Sequence, residues 1–140
     1  MTSARSVAFV FARVAVGLGF LSAVADRFGW WGPAGATNVA WGNFASFLQY
    51  TAKLNPFVPA ALMPALGWAV TIAEIVVGVL LVAGVYVRAA AAAAFVLLCG
   101  FAVGMTVGTG VKTALDASVP AAAAAALLLS LWPTEAGDRA

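Results

Sequence analysis

The sequence predicts an all-α membrane protein whose four transmembrane helices form a bundle. Of its 140 residues, 64% are hydrophobic and only 9% are charged, whereas charged residues make up about 25% of an ordinary soluble domain. A compact soluble domain of this length still exposes much of its surface to water, so this much apolar surface requires lipid. The apolar residues fall into windows that meet or approach the roughly 20 residues needed to span a bilayer.

The first helix is predicted over about residues 6–26. Arg13 interrupts its apolar sequence, and the charged pair Asp26 and Arg27 closes it. A secretory signal peptide is the competing interpretation, because the small residues 23–25 resemble a cleavage site. An arginine inside the apolar region is unusual for a signal peptide, so we expect a retained transmembrane helix.

A long connection, residues 27–63, follows this helix and is rich in glycine, proline and aromatic residues. Connections of this length are usually functional or structured. Within residues 38–54, Trp41 and other apolar residues recur at approximately helical spacing opposite polar ones, which predicts a short amphipathic helix at the membrane interface. Trp30 and Trp31 also suit the headgroup region. This segment either plugs one end of the bundle or covers a ligand, and the pattern does not separate the two.

The other three helices are predicted over about residues 64–87, 89–111 and 115–132. Because Arg88 alone separates the second from the third, these two form an antiparallel hairpin. The last window departs most from the pattern, since Pro120 lies inside it and its alanine run is only mildly hydrophobic. Proline is tolerated in the first turn of a helix. The whole 140-residue chain is therefore predicted to be a single transmembrane domain.

With four spans, both ends of the chain lie on the same side of the membrane. The arginines assigned to that side are Arg5, Arg13, Arg88 and Arg139, against Arg27, Lys53 and Lys112 on the other side. This slight excess, together with the short turn at Arg88, predicts that both termini are cytoplasmic.

Two charged residues inside the apolar windows mark a candidate site. Charge at the centre of a bilayer costs about 2.5–3.5 kcal/mol on insertion scales, so Arg13 and Glu74 are expected to pair with each other inside the bundle. On the second helix, Gly67, Thr71 and Gly78 share a face with Glu74. Three interpretations stay open: a pair that only fixes the register of two helices, a polar pocket for a quinone, lipid or small organic ligand, or part of a proton path.

Composition argues against most catalytic chemistry in this chain. The sequence has one cysteine, Cys99, and no histidine, so it predicts no internal disulfide, CxxC pair or intrinsic redox metal site. We expect no catalytic residue, no metal site and no enzyme activity of the chain by itself. It has no phosphate-binding loop and no basic run of the kind that binds nucleic acid.

A stripe of small residues on the third helix indicates close helix packing. Gly100, Gly104 and Gly108 form two overlapping GxxxG motifs, which let helix backbones approach each other in lipid. The stripe serves either the interior of the bundle or the interface of a homo-oligomer.

The run TIAEIVVGVLLVAG at residues 71–84, followed by Arg88 and an alanine-rich helix, resembles the DoxX family. Arg13 with Gly17, residues 54–56 and residues 110–119 also resemble the pattern of that family. The resemblance implies a multi-pass four-helix protein of the bacterial or archaeal inner membrane. It further implies an accessory or anchor subunit of a quinone-linked redox complex, with a protein partner that supplies the redox cofactor.

The candidate site is therefore expected to receive a quinone-like or lipid-like molecule from the membrane, with no intrinsic cofactor. The ligand-binding candidates are Arg13, Glu74, Gly17, Thr71, Trp41 and Asn55. The alternatives are a small-molecule or lipid carrier that works alone as a homo-oligomer, and a purely structural membrane anchor.

Overall fold

A computed structural model of the protein describes residues 3–133. Within those residues the chain forms helices and no strand, which confirms the all-α prediction. The elements are α1 (Ser3–Arg27), α2 (Phe44–Leu54), a 3-10 turn (Ala60–Leu62), α3 (Met63–Ala83), α4 (Val87–Thr109), α5 (Val111–Asp116) and α6 (Val119–Ser130). The two chain termini, whose cytoplasmic location was predicted, lie outside the described residues.

Three of these elements are long and apolar enough to cross a membrane: α1, the continuous segment Ala60–Ala83, and α4. The region 115–132, expected as one helix, is broken into α5 and α6. Pro120 explains the break, because its ring clashes with the carbonyl of residue 116 and it has no N–H to donate. Ser118 lies at the break in the left-handed conformation, with φ of 57°. The 12 residues of α6 extend about 18 Å.

Helix α1 runs antiparallel to α3 and packs closely against it. Gly17 permits the contact, because a Cβ atom there would lie 2.9 Å from the carbonyl oxygen of Gly78. The core also includes α4 and α6, whose buried residues are mostly alanines, and small side chains let these helices approach each other. The buried core residues are Phe20, Val77, Leu81, Ala90, Ala91, Ala94, Leu98, Ala123, Ala126 and Leu129.

The two ends of the helix bundle differ. At one end, here called the turn end, residues 84–86 connect α3 to α4. At the other, residues 28–62 form a structure that we call the cap, which contains α2 and the 3-10 turn. Asn43 begins α2, since its side chain accepts a hydrogen bond of 2.8 Å from the Ser46 N–H, the usual role of asparagine at a helix N-terminus.

Glycines on α3 and α4 bring α2 close to the bundle. The position of Gly67 on α3 faces Phe47 and Leu48, and a Cβ atom at Gly108 would lie 2.5 Å from the carbonyl oxygen of Lys53. Gly100 has no neighbouring atom within 4 Å of such a Cβ position. The predicted glycine stripe therefore divides: Gly104 and Gly108 receive the end of α2, while Gly100 faces outward.

Candidate functional site

A buried polar centre lies where the cap meets α1 and α3, and it contains Asp26, Arg27, Thr71 and Glu74. Asp26 lies near the C-terminal end of α1. The sequence predicted that Asp26 and Arg27 close the first span at the membrane surface, yet the two residues are only 6% and 2% exposed. The Asp26 carboxylate accepts hydrogen bonds of 2.8 to 2.9 Å from three consecutive backbone N–H groups of the cap. The donors are Ala40, Trp41 and Gly42. Asp26 thus fastens the cap to the end of α1.

The guanidinium of Arg27 forms an ion pair with the carboxylate of Glu74 on α3. Its Nη1 also donates a hydrogen bond of 2.8 Å to the Thr71 hydroxyl, which donates in turn to the Gly67 carbonyl oxygen over 2.7 Å. Both charged side chains are 2% exposed. In such surroundings water cannot compensate either charge, so Glu74 depends on Arg27, while Arg27 is compensated by Glu74 and, less directly, by the neighbouring Asp26.

Aromatic side chains of the cap cover the pair. The centre of the Phe47 ring lies 3.8 Å from the guanidinium carbon of Arg27, and that of Trp41 lies 5.3 Å away. A cation over an aromatic face is attracted by the ring quadrupole, most strongly where water is absent. Tyr50 lies next to Trp41, at 6.0 Å between ring centres, and burial raises the pKa of its phenol above the ordinary value.

The predicted pairing of Arg13 with Glu74 is wrong. Arg13 Nη1 donates hydrogen bonds of 2.7 and 2.8 Å to the carbonyl oxygens of Leu81 and Val82, about 10 Å along α3 from Glu74. The last carbonyl groups of a helix have no partner within the helix and carry partial negative charge. Arg13 therefore stabilises the C-terminal end of α3, while Glu74 binds Arg27.

The other ligand-binding candidates from the sequence lie at three different places: in the covered centre, at the contact of α1 with α3, and at the end of α2. Thr71 and Trp41 lie with Glu74 in the covered centre, whereas Gly17 lies at the contact of α1 with α3. Asn55 ends α2, and its side-chain N–H group donates a hydrogen bond of 2.9 Å to the Thr51 carbonyl oxygen. Ligand binding by any of these residues stays a prediction.

Asp26, Arg27 and Phe47 belong to this centre but are not among the site residues predicted from the sequence. The available signal was an aspartate and an arginine directly before a connection rich in aromatic residues and free of charge up to Lys53. One donor of the centre, Arg27 Nε, is buried without a hydrogen-bond partner among the described residues, whereas Glu74 Oε2 is the oxygen that pairs with Arg27 Nη1. Among residues 3–133, no three His, Cys, Asp or Glu side chains are grouped as a metal ion would require.

This fold and this centre define a class: a helical multi-pass membrane protein with a buried, aromatic-covered ion pair. The sequence model of the family described as methylamine utilisation protein MauE matches residues 5–118, most of the chain. The chain belongs to this family. The matched region contains both charged residues of the buried pair and ends just before α6.

The family match corrects the predicted resemblance to the DoxX family, which is wrong. The motifs that suggested it are mostly runs of valine, leucine, alanine and glycine. Such runs are common to transmembrane helices in general and so discriminate poorly between membrane families. No curated protein and no solved structure matches this chain.

Proposed function

We propose that this protein is an accessory membrane subunit of a methylamine-utilisation redox system, which holds a redox-active partner at the membrane. The observation that carries the proposal is the match of residues 5–118 to the MauE family. The sequence supports an accessory role, because its single cysteine cannot cycle between a dithiol and a disulfide within the chain. The electron carrier then belongs to the partner.

The buried pair has a structural role in this proposal. Arg27 and Glu74 join α1 to α3, and Asp26 joins α1 to the cap. Together they keep the cap in one conformation, so that it presents a fixed surface to the partner. The turn end offers a much smaller connection, residues 84–86, among the described residues.

The bundle is proposed to cross the membrane four times. Helices α5 and α6 together span residues 111–130, which corresponds to about 30 Å of helix and to the thickness of the hydrocarbon core. The fourth span is thus a discontinuous helix with its break at Ala117 and Ser118. Its exposed pair Lys112 and Asp116 then lies at the cap-end interface.

The turn end is proposed to face the cytoplasm of a bacterial or archaeal cell, with the chain in the inner membrane. Arg5, Arg13 and Arg88 lie at the turn end. At the cap end Arg27 is withdrawn into the protein, which leaves Lys53 and Lys112 to flank the membrane. The asymmetry in lysine and arginine therefore favours cytoplasmic termini and a cap on the opposite side.

Growth and co-purification test the accessory role together. Deletion of the gene in its native host is expected to abolish growth on methylamine, and the wild-type gene is expected to restore it. A tagged protein extracted in mild detergent is expected to carry a redox-active partner with it. Normal growth of the deletion strain, or a tagged protein that purifies alone from methylamine-grown cells, contradicts the proposal.

A second candidate function is binding of a quinone-like or lipid-like molecule beside the buried pair. One observation favours it: Arg27 Nε is a buried donor without a partner among the described residues, and a quinone or ester carbonyl oxygen accepts such a bond. Organic extraction of the purified protein is expected to release the ligand from wild type and from Asp116→Asn, an exposed control. Equal amounts of ligand from Glu74→Gln and wild type contradict a site at this pair.

A further inference from the structure

The first part of the cap, residues 28–42, has the composition of a segment that contacts lipid. It contains no charged residue, and neither does the rest of the chain up to Lys53. Two of its three tryptophans are among the most exposed side chains of the molecule, Trp30 at 81% and Trp31 at 62%, whereas Trp41 covers Arg27. Exposed apolar patches in a folded protein mark surfaces that are covered by something else.

The level of these side chains along the bundle identifies lipid as the covering material. Gly17 of α1 packs against Gly78 of the antiparallel helix α3. Ser22, five residues further along α1, is therefore level with about residue 73 of α3, near the middle of the apolar segment Ala60–Ala83. The indole N–H of Trp31 donates a hydrogen bond of 3.1 Å to the Ser22 carbonyl oxygen. Trp31 therefore lies along the lipid side of α1, well below the headgroups.

The backbone of this segment has partners within the protein for nine of its fourteen N–H groups, and lipid would leave any other N–H group unsatisfied. Besides the three N–H groups bound by Asp26, several donate to carbonyl oxygens within residues 25–36. These donors are Phe28, Gly29, Trp30, Gly32, Ala36 and Val39. The remaining five belong to exposed residues, Trp31 and residues 34, 35, 37 and 38, so residues 34–38 are assigned to the headgroup level. The fold is tight: Gly42 has φ of 68°, and a Cβ atom there would lie 2.5 Å from the carbonyl carbon of Pro33.

We propose that residues 28–42 form a re-entrant segment embedded in the lipid leaflet at the cap end, with Trp30 and Trp31 against the acyl chains. Asp26 allows the segment to enter lipid, because its carboxylate accepts hydrogen bonds from three backbone N–H groups that lipid cannot satisfy. The partner of this surface is the membrane itself. The inference does not depend on the accessory role proposed above.

Single-cysteine variants test the proposal in vesicles that contain no other protein. In a Cys99→Ala background, cysteine replaces Trp30, Val96 or Lys112, whose side chains are all highly exposed in the structure. The purified variants are reconstituted in phosphatidylcholine and phosphatidylglycerol vesicles at a high lipid-to-protein ratio. They are then treated with a membrane-impermeant maleimide added to both faces, and a denatured sample of each gives the full reaction.

Trp30→Cys is expected to react as slowly as Val96→Cys, which faces lipid on α4, and far more slowly than Lys112→Cys. A rate equal to that of Lys112→Cys overturns the proposal, because the segment then stands in water.

A second measurement uses the native side chain. A variant that retains Trp31 as its sole tryptophan is expected to lose fluorescence in vesicles of lipids brominated on the acyl chains and to resist quenching by iodide. Quenching by iodide without quenching by bromolipid overturns the proposal. Protection from both reagents also overturns it, since a second copy of the chain then covers the segment.

Discussion

Removal of one member of the buried ion pair is expected to cost far more stability than removal of both. In Glu74→Gln, Arg27 keeps its hydrogen bond to Thr71 and the nearby Phe47 ring, but it loses the carboxylate that it contacts directly. The neighbouring Asp26 still attracts it, although that carboxylate is bound to three backbone N–H groups of the cap. The side chains of Arg27 and Glu74 are both 2% exposed, so water cannot compensate, and breaking such a pair costs about 3–5 kcal/mol. Replacement of both residues by methionine removes the uncompensated charge, and similar replacements elsewhere are neutral or stabilising.

The assay is reversible unfolding in mixed micelles, followed by helical circular dichroism as the fraction of denaturing detergent rises. The set comprises wild type, Glu74→Gln, Arg27→Met, the double methionine variant and Lys112→Ala. The last removes one member of the exposed pair with Asp116 and is expected to change little, because exposed ion pairs contribute little. A buried pair that needs both charges is ruled out if Glu74→Gln unfolds together with Lys112→Ala, or if the double variant loses as much stability as the two single variants combined.

Three further predictions follow from the packing and hydrogen bonds of α1. Asp26→Ala is expected to lose at least about 3 kcal/mol and to speed hydrogen exchange of the amides of residues 40–42; unchanged exchange contradicts the role of this carboxylate. Gly17→Ala is expected to cost about 1–3 kcal/mol in the same unfolding assay, since its Cβ meets the Gly78 carbonyl oxygen, whereas Gly19→Ala, with no neighbour within 4 Å, should be harmless. Arg13→Leu is expected to cost about 2 kcal/mol and to speed exchange in the last turn of α3, and an effect spread evenly over α3 counts against a local role.

The spanning helices could be predicted because their signal is local. An apolar run of the right length requires lipid or a core whatever its neighbours are, and the windows at 6–26, 64–87 and 89–111 coincide broadly with α1, α3 and α4. Their ends differ for local reasons as well. Helix α3 stops at Ala83 because Gly84 adopts the left-handed conformation, with φ of 78°, a common way for a helix to end.

The partners of the charged residues could not be predicted in the same way. Counting residues gives the depth of Glu74 along its helix but not the direction in which a distant segment folds. Both Arg13 and Arg27 of α1 were therefore possible partners of Glu74. The sequence placed Arg27 at the surface because a charged pair after an apolar run normally meets water. In the structure the cap folds back over the end of α1 and buries both Asp26 and Arg27, so neither charge meets water. That arrangement depends on contacts between distant residues, such as Asp26 with Trp41.

In the folded protein Arg27, and not Arg13, lies beside Glu74. The direct test uses a Cys99→Ala background with cysteine at position 74 and a second cysteine at either position 27 or position 13. A short bifunctional thiol reagent, of about the reach of the native ion pair, is applied in membranes, and cross-linking is measured from gel mobility and mass. An efficient intramolecular cross-link is expected for 27 with 74 and none for 13 with 74. A cross-link for 13 with 74 and none for 27 with 74 contradicts this placement of Arg27.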